Sequence, residues 1–225
     1  MHARLIRWLG REFVSLSAEG GDGTPEEQTR DLLGCFATEL QGHGLSLENT
    51  VRTRLWARDR DSRTRGTAER LAILSGRARS SSSSFVAPDR FASGADVALD
   101  LLALRPPAPE AAKSAVEYDP PVAPVRYIIY DSLAFLSGVT APPGPLGQQT
   151  ATILGRIGES LAKAGTSWGK AVLVSCFLHR SHRFDELKDL LPPAISQGVP
   201  RVEYVQVDGY AGEGRLLEIE VTASL

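Results

Sequence analysis

Apolar positions in this chain switch between a helical and a strand period, and the same switch occurs in two places. From Glu27, "EQTRDLLGCFATELQGHG" carries Leu32, Leu33, Phe36 and Leu40 on one face at helical spacing. From Gln148, "QQTATILGRIGESLAKAG" carries Ile153, Leu154, Ile157 and Leu161 in the same arrangement. Gly44 and Gly165 stand where helix C-caps belong. The strand patterns "TVRTRLWAR" and "AVLVSCFLH" follow them. Gln28-Thr29 aligns with Gln149-Thr150 at an offset of 121 (149 less 28), and the same offset pairs Leu33 with Leu154, Phe36 with Ile157, Gly44 with Gly165, Val51 with Val172 and Trp56 with Phe177. The chain contains one unit twice.

The repetition extends in both directions. Upstream, "FVSLSAEG" from Phe13 is similar to "AFLSGVTA" from Ala134. Downstream, each copy has a second helical stretch, Thr67 to Leu74 and Phe184 to Leu191. A strand headed by an arginine follows (Arg79 or Arg201), then a last strand carrying an acid, Asp100 in "VALDLLAL" or Glu218 in "LLEIEVTA". Between the copies, "RPPAPEAAKSAVEYDPPVAP" is proline-rich and aperiodic, the pattern of a stiff linker. The expected organisation is an N-terminal domain over 1–106, a linker over 107–124 and a C-terminal domain over 125–225. The expected class is α+β: in each domain a strand pair, helix, strand, helix, strand and strand, with both helices on one face of a single mixed sheet.

Composition narrows the function classes. A hydrophobic content of 42% and a charged content of 23% are those of a globular protein with its own core, and a formal net charge of −2 is not that of a general nucleic-acid or membrane-surface binder. No apolar run approaches the length of a membrane span, and "MHARLIRWLGREF" is too short and too charged for a signal peptide, so a cytoplasmic location is expected. Cys35 and Cys176 lie in apolar periodic segments and read as free thiols.

The ordered set in the second copy ("FLSGVTA", "QQTATILGRIGESLAKAG", "AVLVSCFL", "VPRVEYVQV" and "LLEIEVTA") resembles the Rid family, the YjgF-type reactive intermediate deaminases. The first copy resembles it more distantly. The resemblance implies two tandem chorismate-mutase-like domains, and homo-oligomers, with a trimer expected, whose clefts lie between neighbouring domains. It implies that Arg201 holds a substrate carboxylate and that Glu218 positions water for hydrolysis of an imine or enamine, releasing ammonia. Glu203 and Tyr204 border that substrate position, and Arg79 with Asp100 is the corresponding second site. A planar guanidinium suits a carboxylate through two parallel charge-assisted bonds, and a partly desolvated carboxyl suits proton exchange with water. The chain departs from the family at the aromatic N-terminal motif, absent from both copies, and at Glu203, where many active members have Cys. Those departures favour the alternative reading, a small-ligand-binding or structural oligomer without turnover.

Other features carry less. A cross-strand salt bridge is the competing reading of Arg201 with Glu218. "RTRLWARDRDSRTR" from Arg52 is the most basic stretch, but Asp59 and Asp61 interrupt it, and alternation puts Arg52, Arg54, Trp56 and Arg58 on one strand face, solvated or facing another subunit. RNA binding ranks last. His179 and His182 are too sparse for a metal site. The serines Ser80 to Ser84 are placed by the repeat in a strand, where their hydroxyls would line a cleft. No metal or organic cofactor is implied, and the expected partner is a small carboxylate-bearing substrate.

Overall fold

The computed structural model describes residues 1–108 and 111–225. The N-terminal domain comprises β1 (His2–Trp8), β2 (Arg11–Glu19), α1 (Pro25–Gly42), β3 (Thr50–Ala57), α2 (Arg60–Ile73), β4 (Ser81–Val86) and β5 (Val97–Leu104). Its sheet runs β1-β2-β5-β3-β4, with β3 and β4 parallel and the other neighbours antiparallel. The C-terminal sheet runs β11-β10-β12-β8-β7-β6 and uses β6 (Ser114–Val116), β7 (Tyr127–Tyr130), β8 (Leu133–Leu136), β10 (Ala171–His179), β11 (Val202–Val207) and β12 (Leu217–Ser224). The short β9 (Val139–Thr140) pairs with β12, and α3 (Leu146–Lys163), α4 (Phe184–Leu190) and α5 (Pro193–Ser196) complete the domain. This is the expected mixed α+β class with two sheet bodies.

The duplicated signals have the same structural job in each copy. Gln28 Oε1 accepts from the Asp96 and Val97 amides, and Gln149 Oε1 accepts from the Leu216 amide, so each glutamine ties its helix to the start of the last strand. Leu45 N donates to Leu40 O (2.8 Å) and Thr166 N to Leu161 O (2.9 Å), with Gly44 and Gly165 at positive φ. These are glycine-dependent helix stops of the kind the spacing predicts.

Two boundaries differ from expectation. The helix expected from Thr67 begins at Arg60, because Asp59 caps it by accepting from Ser62 N (2.8 Å); its arginine-rich first turns hid the period. In the second copy α4 (Phe184–Leu190) fills the expected stretch, and the short α5 is an addition after the break at Pro192 and Pro193, which bring no amide donors. The linker expected over 107–124 contains β6, paired Val116 to Tyr127 against the C-terminal sheet; its residues 109–110 lie outside the described residues.

The helices cover one face of each sheet, and the two uncovered faces meet. Phe13, Leu104, Ile128, Leu133 and Phe135 form one apolar cluster across the junction, and Trp56, Phe85, Phe177, Val207 and Tyr210 form another. Between them lies a polar band: Arg52 and Arg54 from β3, serines from β4, and Ser175, Glu218 and Glu220 from β10 and β12. Arg52, Arg54 and Trp56 of the basic stretch therefore face the partner domain of their own chain, whereas Arg58 donates to the Ala95 and Ser93 carbonyls of its own domain. The edge of β4 is fastened by Gly138 N to Ser82 O (3.3 Å), Ser82 N to Ser137 Oγ (3.1 Å) and Val86 N to Gly209 O (2.9 Å).

Candidate functional site

Strand alternation sends Ile219, Val221 and Ala223 into the helix-side core and turns Glu218 and Glu220 to the domain junction. Both are buried, and their surroundings act on them in opposite directions. Glu220 accepts from Arg54 Nε (2.9 Å) and Nη2 (2.6 Å), and the charges of Arg54 and Arg52 hold its carboxyl below the usual range against the effect of burial. Glu218 has no such bond. Burial pushes its carboxyl up to about 7; the Ser83 hydroxyl and the charges of Arg63 and Arg215 oppose that rise, while Glu220 adds to it.

Glu218 opens into a cleft of about 420 Å³ made by both domains. From the N-terminal domain α2 sends Arg63, Thr67 and Arg70 down one face onto β4. Arg63 Nε donates to Ser84 O (2.9 Å), Arg70 Nη1 to Ser83 O (2.8 Å), Arg70 Nη2 to Ser84 Oγ (2.9 Å) and Thr67 Oγ1 to Ser84 Oγ (2.9 Å). Short serine side chains let these long polar groups reach the strand backbone. From the C-terminal domain come Gly138, Thr140, Arg215 and Glu218. A Cβ at Gly138 would overlap Glu218 Oε1 and Ser83 Oγ, so only glycine fits beside them.

Two polar atoms of cleft-lining residues are buried without a protein partner, Ser82 Oγ and Arg70 Nε. Native interiors satisfy nearly all such atoms, and two exceptions in one cleft mark a place for water or a polar ligand. Arg63 has its Nη atoms free of described partners, and Arg215 makes no ion pair among the described residues, so two guanidiniums stand available near a carboxyl that readily holds a proton.

The expected pairs are not brought together within the chain. Arg201 precedes β11, which is separated from β12 by β10; it is 69% exposed and pairs with Glu203 Oε1 (2.7 Å). Glu203 Oε2 accepts from Ser175 Oγ (2.9 Å) and lies 3.8 Å from Arg54, so it is committed to the polar band. Tyr204 turns to the helix side and packs on Phe184. Arg79 pairs with Glu117 of the linker, whereas Asp100 accepts from Trp56 Nε1 (2.7 Å) and Arg90 (3.3 Å).

Sheet register also corrects the alignment of the two copies. Trp56 and Phe177 are equivalent; Trp56 stands opposite Ala98 and Phe177 opposite Glu218. Asp100 therefore corresponds to Glu220, and the N-terminal copy has alanine where the C-terminal copy has Glu218. Of the residues singled out in the sequence, Glu218 and Ser82 to Ser84 line this cleft; Arg63, Arg70, Arg215 and Gly138 line it too and were not singled out. Among the described residues no group of His, Cys, Asp or Glu is placed to hold a metal, and no helix is long and apolar enough to cross a membrane.

Residues 117–225 match the family model described as Endoribonuclease L-PSP. The C-terminal domain belongs to this YjgF/Rid family. Among solved structures, a chorismatase aligns over 98% of this chain and 79% of its own at 15% identity, with a TM-score of 0.70, so the two-domain fold extends beyond the family match. Rv2704 from Mycobacterium tuberculosis, a member of the YjgF/YER057c/UK114 family, is 23% identical over 51% of this chain and 100% of its own (TM-score 0.46). The Rid protein YyfA from Yersinia pestis is 24% identical over 51% and 100% (TM-score 0.45). No curated protein matches the chain.

Proposed function

We propose that the chain hydrolyses a small imine or enamine bearing a carboxylate, in the cleft between its two domains. The observation that carries this reading is Glu218: a buried carboxyl raised to about 7, beside the Ser83 hydroxyl and the guanidiniums of Arg63 and Arg215. A group with that affinity for protons has both of its forms populated near neutral pH, as an acid that must also act as a base requires.

For a 2-iminocarboxylate the balance is simple. Glu218 gives its proton to the imine nitrogen, water adds to the carbon, and the Glu218 carboxylate takes the proton that the water loses. That proton returns to nitrogen, and as the C–N bond breaks the carbinolamine hydroxyl gives its own proton to the Glu218 carboxylate, leaving ammonia, a 2-oxo acid and a neutral Glu218. Arg63 and Arg215 hold the substrate carboxylate, the role expected of Arg201, which in this chain is turned to Glu203. An enamine enters the same sequence after protonation at carbon. Family membership of the C-terminal domain supports the reaction class, and the fold shared with a chorismatase supports use of a two-domain chain for a carboxylate substrate.

The test is ammonia release from 2-imino acids generated in situ by an amino-acid oxidase. Wild type accelerates release and Glu218→Gln does not. An active Glu218→Gln variant would remove the proposal. The homo-oligomer and cytoplasmic location expected from the sequence accompany this reading; sedimentation equilibrium and cell fractionation check them.

A further inference from the structure

A second cavity, of about 360 Å³, lies on the uncovered face of the N-terminal sheet, away from Glu218. Sheet register builds it from two transverse rows. Arg4 stands opposite Ser15, Ser15 opposite Leu102, and Leu102 opposite Arg52. In the next row His2 stands opposite Ser17, Ser17 opposite Asp100, and Asp100 opposite Arg54. Neighbouring strands are about 4.8 Å apart, so Arg4 and Arg52 begin about 14 Å from each other across three steps. Two arginine side chains reaching inward close most of that distance, above the small Ser15.

The charges on this face do not balance. Glu220 is taken up by Arg54, and Asp100 by Trp56 Nε1 and Arg90. Arg52 is left with no hydrogen bond among the described residues, its nearest carboxylate being Glu220 at 3.9 Å, although only 16% of its side chain is exposed. Arg4 has no ion pair among the described residues. A desolvated guanidinium normally has its fork of donors occupied. Burial and the like charge of Arg54 bring Arg52 down to about 10, in keeping with a cation short of a counter-charge.

We propose that this cavity is a binding site for a small oxyanion, a phosphate or a carboxylate group, held by Arg52 and Arg4 with the Ser15 and Ser17 hydroxyls as further donors. Guanidinium forks and hydroxyl donors are the chemistry that recognises either group. The cavity shares no lining residue with the cleft at Glu218.

Inorganic phosphate and acetate, each titrated calorimetrically into the full chain at constant ionic strength, test it and tell the two sources apart. Saturable one-to-one binding of either, weakened at least about tenfold in both Arg52→Gln and Arg4→Gln, supports the site. Arg4 lies on an exposed strand, so its variant keeps the test valid should Arg52→Gln fail to fold. Arg77→Gln removes an equal charge outside the cavity and is expected to bind as wild type does. Absence of saturable binding, equal weakening by Arg77→Gln, or a self-association abolished by Arg4→Gln in place of anion binding would each overturn the proposal.

Discussion

Glu218 and Glu220 are two residues apart on one face of β12, yet one carboxyl is driven towards its neutral form and the other towards its charged form. The cause is the guanidinium of Arg54, which bonds to Glu220 with the charge of Arg52 behind it and leaves Glu218 to the effect of burial.

Between about pH 4.5 and 7 the folded protein keeps a proton on Glu218 that the unfolded chain has lost. The contribution of this group to stability therefore falls as pH rises through that window, by an amount on the order of 3 kcal/mol. Glu218→Gln removes the dependence. Urea unfolding from pH 4 to pH 8 is expected to show wild type and variant converging at the acid end, with the variant more stable at the alkaline end.

Ammonia release that relies on protonated Glu218 falls above about pH 7 with the slope of a single proton. Initial rates over a pH series, corrected for free imine hydrolysis, check the midpoint. A flat profile through that region would dissociate Glu218 from the rate.

Arg54→Ala leaves Glu220 buried and unpaired. The expected cost is about 3–5 kcal/mol in folding free energy, most of it recovered by adding Glu220→Gln. Chemical denaturation of the two single variants and the double variant measures the coupling.

Gly138→Ala places a methyl group where Glu218 Oε1 and Ser83 Oγ already stand. Overpacking of this kind costs about 1–3 kcal/mol. Thermal unfolding reads the loss, and the titration of Glu218 followed by carboxyl carbon NMR should shift with it.

Gln149→Ala removes the acceptor of Leu216 N and the donor to Gly144 O and Gly214 O. A loss of about 1–3 kcal/mol is expected, and Gln28→Ala should behave alike in the N-terminal domain. Matched denaturation curves compare the two.

The doubled architecture was legible because its signals are local. A glutamine at the helix start, an apolar face and a glycine stop each act within a few residues, and each recurs at one offset. The cleft was only half legible. Matching acid to acid equated Asp100 with Glu218, whereas β5 and β12 have equal lengths, and aligning their ends equates Asp100 with Glu220. The missing arginines had no local signal. Arg70 is buried in a helix of polar composition, and its partners are carbonyl and hydroxyl oxygens of β4, which only the tertiary fold brings near. Arg201 was found for its place at a strand head, but its partner lies two residues on in its own strand segment, and no sequence pattern separates that pairing from a ligand contact.

Because Ala98 and Glu218 hold equivalent positions in the two copies, the halves of this chain are no longer interchangeable. In a ring of identical domains every substitution appears at every cleft at once, for better or worse. Fusing two domains breaks that constraint: the N-terminal half can specialise in arginines and serines, the C-terminal half in the acid, and neither change is imposed on the other. The chain thus carries the asymmetry of a heterodimer with the fixed stoichiometry of a single gene product.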